Sequence, residues 1–380
     1  MKYFYSHLFW NNPGVRELFP EDMEPQRDRL FTALTYVVAH LDNPGLPAYL
    51  KDLGRDHRKF LAQPAHYAAV GTSLLAAFEY VLGNQWTPKA EKAWTEAYTV
   101  VSGAMIAGAQ EAEDAGRPNW WDCEVVSHTR YNDDLAVLTL LPREPLPFRT
   151  GQYVSVSSPR VPSHWRTYSI GNAPRVDGTV DLHISRVEGG SLSTALVQQV
   201  REGEVLRLSA AGGSLTLRTP VTRPLTFIAA GTGWAPVRAL LEELAVELAR
   251  CDLRLFSVAR HPALLYDRHA VEELRTLLPQ LDIAYVTPAP GRPPAQATDR
   301  LVSALGSQGN WPAQDVYLAG PPPFVHEVKR ALTELGTAPE RIFHDSLPAI
   351  GAGATRPLGP SEWFLNRPEP QWHDPSGRIL

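Results

Sequence analysis

The sequence predicts a multidomain chain with an all-α domain first, an antiparallel β-barrel second and an α/β domain with a parallel sheet third. Three observations support this order. Apolar residues follow helical spacing over 1–115, alternate with period two over 118–219, and form short buried strands between helices over 220–347. The remaining residues, 348–380, are rich in Pro, Gly and Trp without a period, so we expect an irregular tail.

The composition is ordinary for a globular protein and argues against several partners. With 20% charged residues and a formal net charge of −5, neither nucleic acid nor an anionic membrane is an expected partner. The two cysteines, Cys123 and Cys251, are far apart, which argues against a disulfide framework, a zinc site and an iron–sulfur cluster. No apolar run reaches the ~18 residues of a membrane helix, and no signal peptide is recognisable. We therefore expect a cytoplasmic monomer or weak dimer.

Helices are predicted throughout the first domain, because apolar residues recur three and four positions apart over 46–61, 67–81 and 94–105. Pro64 and Gly83 separate these segments. The acidic stretch 111–119, which contains Gly and Pro, predicts a linker. The six strands expected after it, with one helix at 193–200, are 123–130, 134–141, 152–158, 166–171, 179–187 and 205–209.

Strands and helices alternate in the third domain, which predicts a parallel sheet covered by helices on both faces. The predicted strands are 225–230, 253–258, 282–287, 315–319 and 341–345. The predicted helices are 236–250, 264–278, 298–306 and 322–335.

The motif Arg166-Thr167-Tyr168-Ser169 has the chemistry that a flavin needs. An arginine neutralises phosphate, a tyrosine can lie along the ring, and a serine hydroxyl can bond its edge. A four-residue motif of this kind, taken alone, is more often part of an ordinary strand. A glycine–serine helix start at the expected distance favours the flavin, through Gly190, Ser191 and Ser193.

A glycine turn after the strand 225–230 suits a nicotinamide dinucleotide, because glycines let the backbone approach phosphates at a helix start. This turn does not match the dinucleotide pattern GxGxxG, so alone it is a weak signal. A second turn after the strand 315–319 would line the same crevice. The candidate residues of the two turns are Gly231, Thr232, Gly233, Trp234, Ala235, Pro236, Gly320, Pro321 and Phe324.

These motifs, together with GQY at 151–153, resemble the ferredoxin–NADP reductase superfamily over about 118–347. The resemblance implies FAD held by Tyr153, Arg166, Tyr168, Ser169 and Ser193. It also implies NAD(P)H at the two glycine turns and hydride transfer to the flavin. Arg260 or Arg254 could pair with a 2′-phosphate, but neither distinguishes NADPH from NADH.

A haem needs one axial imidazole on an apolar helix face, and His57 lies on such a face, with His40 and His66 as rivals. A lone histidine there is more often a core residue. The surrounding motifs resemble the globin domain of flavohaemoglobins at 4–9, 12–13, 18–20, 26–31, 63–67 and 93–98.

The flavohaemoglobin resemblance then covers 1 to about 347 and implies haem b with His57 as the proximal iron ligand. It implies Phe19 at the haem edge and Tyr67 on the proximal side. Tyr5 and Gln26 would be distal groups that hydrogen-bond bound O2.

The helical part departs from the family at three points. The family's first globin helix has no counterpart, Ala109 replaces its proximal acidic residue, and Asp56 replaces its lysine before the proximal histidine. Glu111, two residues on, is turned about 200° away from position 109 on a helix. In the reductase part, the family often ends in an aromatic residue over the flavin, whereas this chain continues beyond 343–347 into the tail, where Trp363 or Trp372 could cover the ring.

The leading hypothesis is a nitric oxide dioxygenase, in which NAD(P)H reduces FAD, FAD reduces haem, and NO reacts with O2 to give nitrate. One alternative is an NAD(P)H-dependent flavin reductase or diaphorase with a vestigial helical domain. Another is a haem-based gas or redox sensor.

Overall fold

The computed structural model describes residues 1–20, 23–247, 251–307 and 310–345. It confirms the predicted fold class: a helical domain, then an antiparallel sheet, then a parallel sheet. The predicted tail, including Trp363 and Trp372, lies outside the described residues. None of the helices in the described part of the chain has both the length and the apolar surface needed to cross a membrane.

The helical domain contains α1 (Lys2–Asn11), α2 (Glu24–Ala39), α3 (Leu46–His57), α4 (Pro64–Leu82) and α5 (Pro88–Asp114). Pro64 begins α4 and Gly83 ends it with a φ of 51°, as their positions predict. The predicted linker starts too early, because α5 continues to Asp114. Ala112 of this last segment is buried, and Glu111 pairs with Lys51 of α3, so packing stabilises a segment whose composition suggests a loop.

Helix α3 lies against α5 with backbone touching backbone. A Cβ on Gly54 would be 1.9 Å from the Met105 carbonyl oxygen, and one on Gly108 would be 2.2 Å from the Lys51 carbonyl oxygen. Two glycines in register therefore allow a closer approach than any side chain would permit. This contact fixes the helix that ends at His57.

The second domain is a six-stranded antiparallel sheet with the strand order β4-β3-β6-β1-β2-β5. A bridge between Ile170 and Leu182 joins its two edge strands, so the sheet closes into the predicted barrel. One turn of helix, α6 (Ser191–Thr194), continues as a π-helical turn at Ala195–Gln199. The strands are β1 (Trp121–Asn132), β2 (Leu135–Pro142), β3 (Tyr153–Ser158), β4 (Val161–Ser169), β5 (Val180–Ser185) and β6 (Val205–Leu208).

The third domain has a five-stranded parallel sheet with the order β11-β10-β7-β8-β9. Its strands are β7 (Leu225–Ala230), β8 (Leu253–Val258), β9 (Leu281–Val286), β10 (Asp315–Ala319) and β11 (Ile342–Phe343). Its helices are α7 (Trp234–Val246), α8 (Arg268–Leu277), α9 (Gln296–Ser307) and α10 (Pro322–Glu334). Helices α7 and α8 pack on the face that carries Phe227, and α9 and α10 pack on the face that carries Ile228. Both faces are covered, which explains why the strands are almost continuously apolar.

The glycine contact between α3 and α5 gives a stability prediction. Gly108→Ala should lower the free energy of unfolding of the helical domain by roughly 1–3 kcal/mol, because the new methyl group overlaps backbone that cannot move away. Gly103→Ala in the same helix is the matched control, since nothing lies within 4 Å of its Cβ position. It should raise stability by about 0.5–1 kcal/mol through helix propensity. Urea unfolding followed by helical circular dichroism measures both, and equal effects would contradict the close contact.

Candidate functional site

The parallel sheet changes its winding direction between β7 and β10, and in sheets of this kind a crevice forms at that point. The chain leaves β7 for β8 and β9 on one side and returns to β10 on the other. The turn Gly231–Gly233 follows β7, and Gly320 follows β10. Both turns therefore stand at the carboxyl ends of neighbouring strands, where ligands of such sheets bind.

The two turns fit closely against each other. A Cβ on Gly233 would lie 2.3 Å from the Ala319 carbonyl oxygen, and one on Gly320 would lie 3.0 Å from the Ala230 Cβ. Gly231 adopts a φ of 56°, which other residues rarely do. The turns consist of glycine because backbone meets backbone along this wall.

Several candidate residues of the crevice have buried side chains. Helix α7 begins at residue 234, two residues before the predicted start, and the side chains of Trp234, Ala235 and Pro236 are all buried in its core. Phe324 also packs in the core, against Gly320. The side chains of these residues pack into the core behind the two turns, so only their backbone can face a ligand.

The charged candidates differ in position. Arg260 is exposed just after the carboxyl end of β8, on the side of the sheet where the crevice opens. Arg254 lies at the opposite end of the same strand and pairs with Asp282. The structure therefore removes Arg254 as a candidate for a 2′-phosphate and leaves Arg260.

The flavin motif lies on β4, paired with β3. Tyr153 stands directly opposite Ser169, and the neighbouring pairs place Thr167 and Arg166 further along the same ladder. The ring of Tyr168 packs against the barrel core, and burial raises the pKa of its phenol far above the ordinary value. The two strands therefore bring the GQY tyrosine and the serine of the second motif together.

The glycine–serine turn is held together by its own serine. The Ser193 hydroxyl accepts from the Val187 N–H at 3.0 Å and donates to the Gly190 carbonyl at 3.2 Å. A Cβ on Gly190 would lie 2.7 Å from that hydroxyl oxygen. Ser193 thus shapes the turn that starts α6 at Ser191, and its hydroxyl is already bonded.

Asp345 is a site residue that the sequence analysis missed. Its carboxylate accepts from the backbone N–H groups of Ser214 at 2.7 Å and Leu215 at 3.2 Å. It lies beside Tyr153, and burial together with this carboxylate raises the pKa of Tyr153 to about 12. The sequence places Asp345 at the end of a predicted strand, 341–345, and no local pattern indicates that it would bond the α/β domain to the barrel.

A buried polar network joins the barrel to the α/β domain close to the crevice. Asp267 accepts from the Trp234 indole at 2.9 Å, from Arg238 at 3.3 Å and from the Tyr131 hydroxyl at 3.2 Å. Asp267 has a φ of 57°, which is unusual for a residue other than glycine. Its carboxylate therefore organises groups from both domains.

His183 extends this network into the barrel. It is 3% exposed, and its Nδ1 lies 2.8 Å from the Tyr266 hydroxyl. Burial lowers the pKa of His183 to about 4, so the imidazole is neutral near pH 7. Gly171, just after the flavin motif, has no room for a Cβ because this ring lies 2.7 Å from that position.

His57 is the candidate that suits a metal best. Its Nδ1 lies 2.8 Å from the Leu53 carbonyl oxygen, which fixes the proton on Nδ1 and leaves the Nε2 lone pair available. Burial lowers the pKa of His57, so the ring is neutral. The rivals fit less well, because the ring of His66 caps the start of α4 and the ring of His40 stacks on Tyr36 beyond the end of α2. No group of three or more His, Cys, Asp or Glu residues that could hold a metal occurs in the described ranges.

Two hydrophobic clusters of the helical domain suit a flat apolar group. Tyr5 and Phe19 belong to one hydrophobic cluster, while Leu53 and Tyr67 belong to a second, separate one. Helix α2 touches both clusters, yet its described side chains include none that is fully buried. A planar group bounded by both clusters would complete a single core, so the apolar part of a haem fits here.

Polar groups at the edges of these clusters agree with that fit. The Tyr5 hydroxyl donates weakly to the Gln26 backbone carbonyl at 3.3 Å, and burial raises the pKa of Tyr5 to about 12. The Nε atoms of Arg27 and Arg29 are buried without a partner in the described part of the chain. Guanidinium groups of this kind suit the carboxylates at the edge of a haem.

The proximal side lacks an acidic partner among the described residues. The Tyr67 hydroxyl is buried with no hydrogen-bond partner there. Glu111 instead pairs with Lys51 and Arg55 on the outer face of α3 and α5. Glu111 therefore does not take the place of an acidic residue at position 109, as its position on the helix predicts.

Three family models match successive parts of the chain. The globin model matches residues 2–105, the oxidoreductase FAD-binding domain 122–217, and the oxidoreductase NAD-binding domain 227–330. Fold and site thus define an oxidoreductase that joins a globin to an FAD- and NAD-binding module.

Relatives extend over nearly the whole length. A flavohemoprotein of Bordetella pertussis is 27% identical over 367 residues, covering 90% of this chain and 91% of the relative. The chain therefore has the domain composition and order of the flavohemoproteins it resembles, with a globin, an FAD-binding domain and an NAD-binding domain. The crystal structure of a Malassezia yamatoensis flavohemoglobin with bound FAD and heme matches with a TM-score of 0.74 at 22% identity, covering 90% and 92% of the two chains. The FAD/NAD-binding domain of a Vibrio cholerae nitric oxide dioxygenase matches with a TM-score of 0.50 at 19% identity, covering 59% and 97%.

The buried imidazole of His183 gives a pH prediction. The unfolded chain binds a proton near pH 6.5, whereas the folded chain binds it only near pH 4, so stability present above pH 6.5 is lost as the pH falls towards 4. Relative to His183→Gln, the wild-type chain should lose roughly 2 kcal/mol of unfolding free energy between about pH 7 and about pH 5. Urea titrations at a series of pH values measure this difference. Parallel curves for the two proteins would show that His183 does not resist protonation.

Proposed function

We propose that the chain is a nitric oxide dioxygenase that consumes NAD(P)H. Two molecules each of NO and O2 with one NAD(P)H would give two nitrate ions, NAD(P)⁺ and one proton. The observation that supports this proposal most is the neutral imidazole of His57, with Nδ1 fixed and Nε2 available, in a chain that also carries FAD- and NAD-binding domains. The Vibrio cholerae protein whose FAD/NAD-binding domain resembles that of this chain is a nitric oxide dioxygenase.

Haem, when bound, supplies gas binding and one-electron chemistry at iron. The groups that would hold it are His57 as the axial ligand, Phe19 at its edge and the guanidinium groups of Arg27 and Arg29 beside its carboxylates. Tyr5 is the distal hydroxyl donor, and the raised pKa of its phenol keeps the proton on it. Gln26 is half-buried next to it and supplies an amide.

The reductase half would receive the hydride. Arg166 would neutralise the flavin phosphates, while Tyr153, Tyr168 and Ser169 would bind its ring along the β3–β4 ladder. NAD(P)H would lie on the turns Gly231–Gly233 and Gly320–Pro321, with Arg260 near its adenosine end. The crevice and the ladder belong to domains that Asp345 and Asp267 connect, so both carriers would be held in one arrangement.

A gas or redox sensor is the second candidate, because one observation favours it. The Tyr67 hydroxyl is buried without a partner among the described residues, and His57 donates only to a neutral carbonyl. A proximal imidazole without an acidic partner donates less electron density to iron than one with such a partner. This would favour gas binding over rapid turnover.

Replacing His57 tests the proposal. The chain loaded with FAD and haem should consume NO under air with NADH and release nitrate. His57→Ala should abolish the haem Soret band and NO consumption, while NADH-to-dye turnover stays within about twofold of wild type. His40→Ala is the matched control, since His40 is a half-buried histidine that follows the end of α2 and whose Nδ1 lies 2.8 Å from the Tyr36 carbonyl oxygen.

Different results would support the rival functions. A wild-type chain that binds FAD but shows no Soret band after haem addition would be a flavin reductase or diaphorase. Tight O2 or NO binding with electron flux too slow to sustain nitrate formation would indicate a sensor. An NO electrode, nitrate analysis and visible spectra distinguish these outcomes.

A further inference from the structure

Lys59 is a buried lysine on the boundary between the helical domain and the barrel. It lies in the turn Arg58–Phe60 directly after α3 and is only 8% exposed, whereas lysines are almost always solvated. Its ammonium group donates to the two carboxylate oxygens of Asp56 at 2.6 and 2.8 Å and to the Ser155 hydroxyl at 2.9 Å. The three N–H donors of this charge are all used, one of them across the domain boundary.

Aromatic rings enclose the same ammonium group. Its nitrogen lies 5.2 Å from the centre of the Phe60 ring and 5.7 Å from the centre of the Trp165 ring, within the range of cation–π attraction. The Phe60 ring also meets the His57 ring edge to face at 5.8 Å and the Trp165 ring at 6.4 Å. We call Asp56, Lys59, Phe60, Ser155 and Trp165 the interdomain clamp.

The clamp stands between the two groups that must exchange electrons. On one side it contacts His57, the candidate iron ligand, through Phe60. On the other side it contacts β3 at Ser155 and β4 at Trp165, the residue before Arg166. These are the strands that carry the flavin candidates.

A buried ammonium group with directed partners fixes geometry more tightly than an apolar contact does. Each of its hydrogen bonds requires a donor direction as well as a distance, while the two rings restrict sideways movement. Asp56 and Lys59 are three residues apart at the end of α3, so the whole end of that helix is held. Electron transfer between two protein-held groups slows steeply as their separation grows. Holding the helix end in place keeps that separation constant, and with it the rate of transfer.

We propose that Lys59 is a positioning residue for electron transfer from flavin to haem. This inference rests on the proposed function. Each hydride brings two electrons to FAD, and these leave singly in two successive reductions of iron(III) to iron(II), with release of the proton. Lys59 takes no part in these bond changes. It keeps the end of α3, and with it His57, at a fixed distance from strands β3 and β4.

The principal test is Lys59→Met, which keeps the length of the side chain but removes its charge and donors. In anaerobic stopped-flow mixing with NADH, flavin reduction should stay within about twofold of wild type, whereas haem reduction should slow by at least about tenfold. Lys59→Arg should recover much of the rate, because it restores a cation with several donors. Ser155→Ala should show a smaller effect in the same direction, since it removes one bond of the clamp.

Lys51→Met is the matched control. Lys51 lies on α3, the helix that Lys59 follows, and also pairs with a carboxylate, but its side chain is 40% exposed. It should leave both reduction rates unchanged. The iron midpoint potential of each variant is measured too, because loss of a charge near His57 could change the driving force. A fall in potential large enough to explain slower haem reduction would overturn the positioning role.

A second measurement needs no bound cofactor. Cleavage by the glutamate-specific protease Glu-C after Glu113, at the end of α5 before β1, should be faster in cofactor-free Lys59→Met than in cofactor-free wild type, because the domains separate more easily. Equal cleavage, or haem reduction at the wild-type rate in Lys59→Met, would overturn the proposal while leaving the proposed function intact. A wild-type chain that binds no haem would overturn both together, and equal slowing of flavin and haem reduction would assign Lys59 a purely structural role.

Discussion

The hydrogen bond between His57 Nδ1 and the Leu53 carbonyl determines what the helical domain can do. It fixes the tautomer, so the ring presents an unprotonated Nε2 at the end of α3. Burial lowers the pKa of the ring further and prevents protonation from competing with a metal. Without this one bond the ring could turn, and neither the glycine contact of α3 with α5 nor the clamp beyond it would position a ligand.

The same bond also limits the chemistry, because the acceptor is a neutral carbonyl. An acidic partner would give the imidazole more anionic character and increase the electron density on iron. The family resemblance assigns Tyr67 to the proximal side, and its hydroxyl has no partner among the described residues. Glu111 pairs instead with Lys51 and Arg55. A slow dioxygenase and a sensor would therefore differ only in their rate of turnover, and that rate depends on how fast electrons reach the haem.

Much of the fold could be predicted because its strands and helices bury regular apolar patterns. Strands β7, β8 and β10 begin and end where the sequence places them, since each is a short buried run. Strand β4 begins five residues before its predicted start, in a half-exposed segment that contains a proline. Helix α8 begins four residues late because Asp267 adopts a left-handed conformation to reach Trp234 and Arg238. Tertiary contacts, which local patterns do not encode, set these two boundaries.

The candidate site was predictable to a similar extent. Motifs indicated which strands and turns meet, but not which side chains face a ligand. Trp234 follows the glycine turn and looked like a ligand contact, yet its indole packs behind the crevice and bonds Asp267. Lys59 and Asp345 had no sequence signal, because their partners are 96 and about 130 residues away. Such residues join two domains, whereas a pattern in a single sequence reports only on contacts within one domain, so it cannot reveal them.

The two domain boundaries are built differently, and the difference follows from what crosses each of them. Between the barrel and the α/β domain, Arg238 pairs with Asp267, Glu242 and Asp181, so several charges share the contact and no single one controls it. Between the helical domain and the barrel, the ammonium group of Lys59 pairs with Asp56 and reaches across to Ser155. A hydride passes over contact distance and needs two rings held face to face over a broad surface. Single electrons cross a longer gap, for which one fixed point near the candidate iron ligand would be enough.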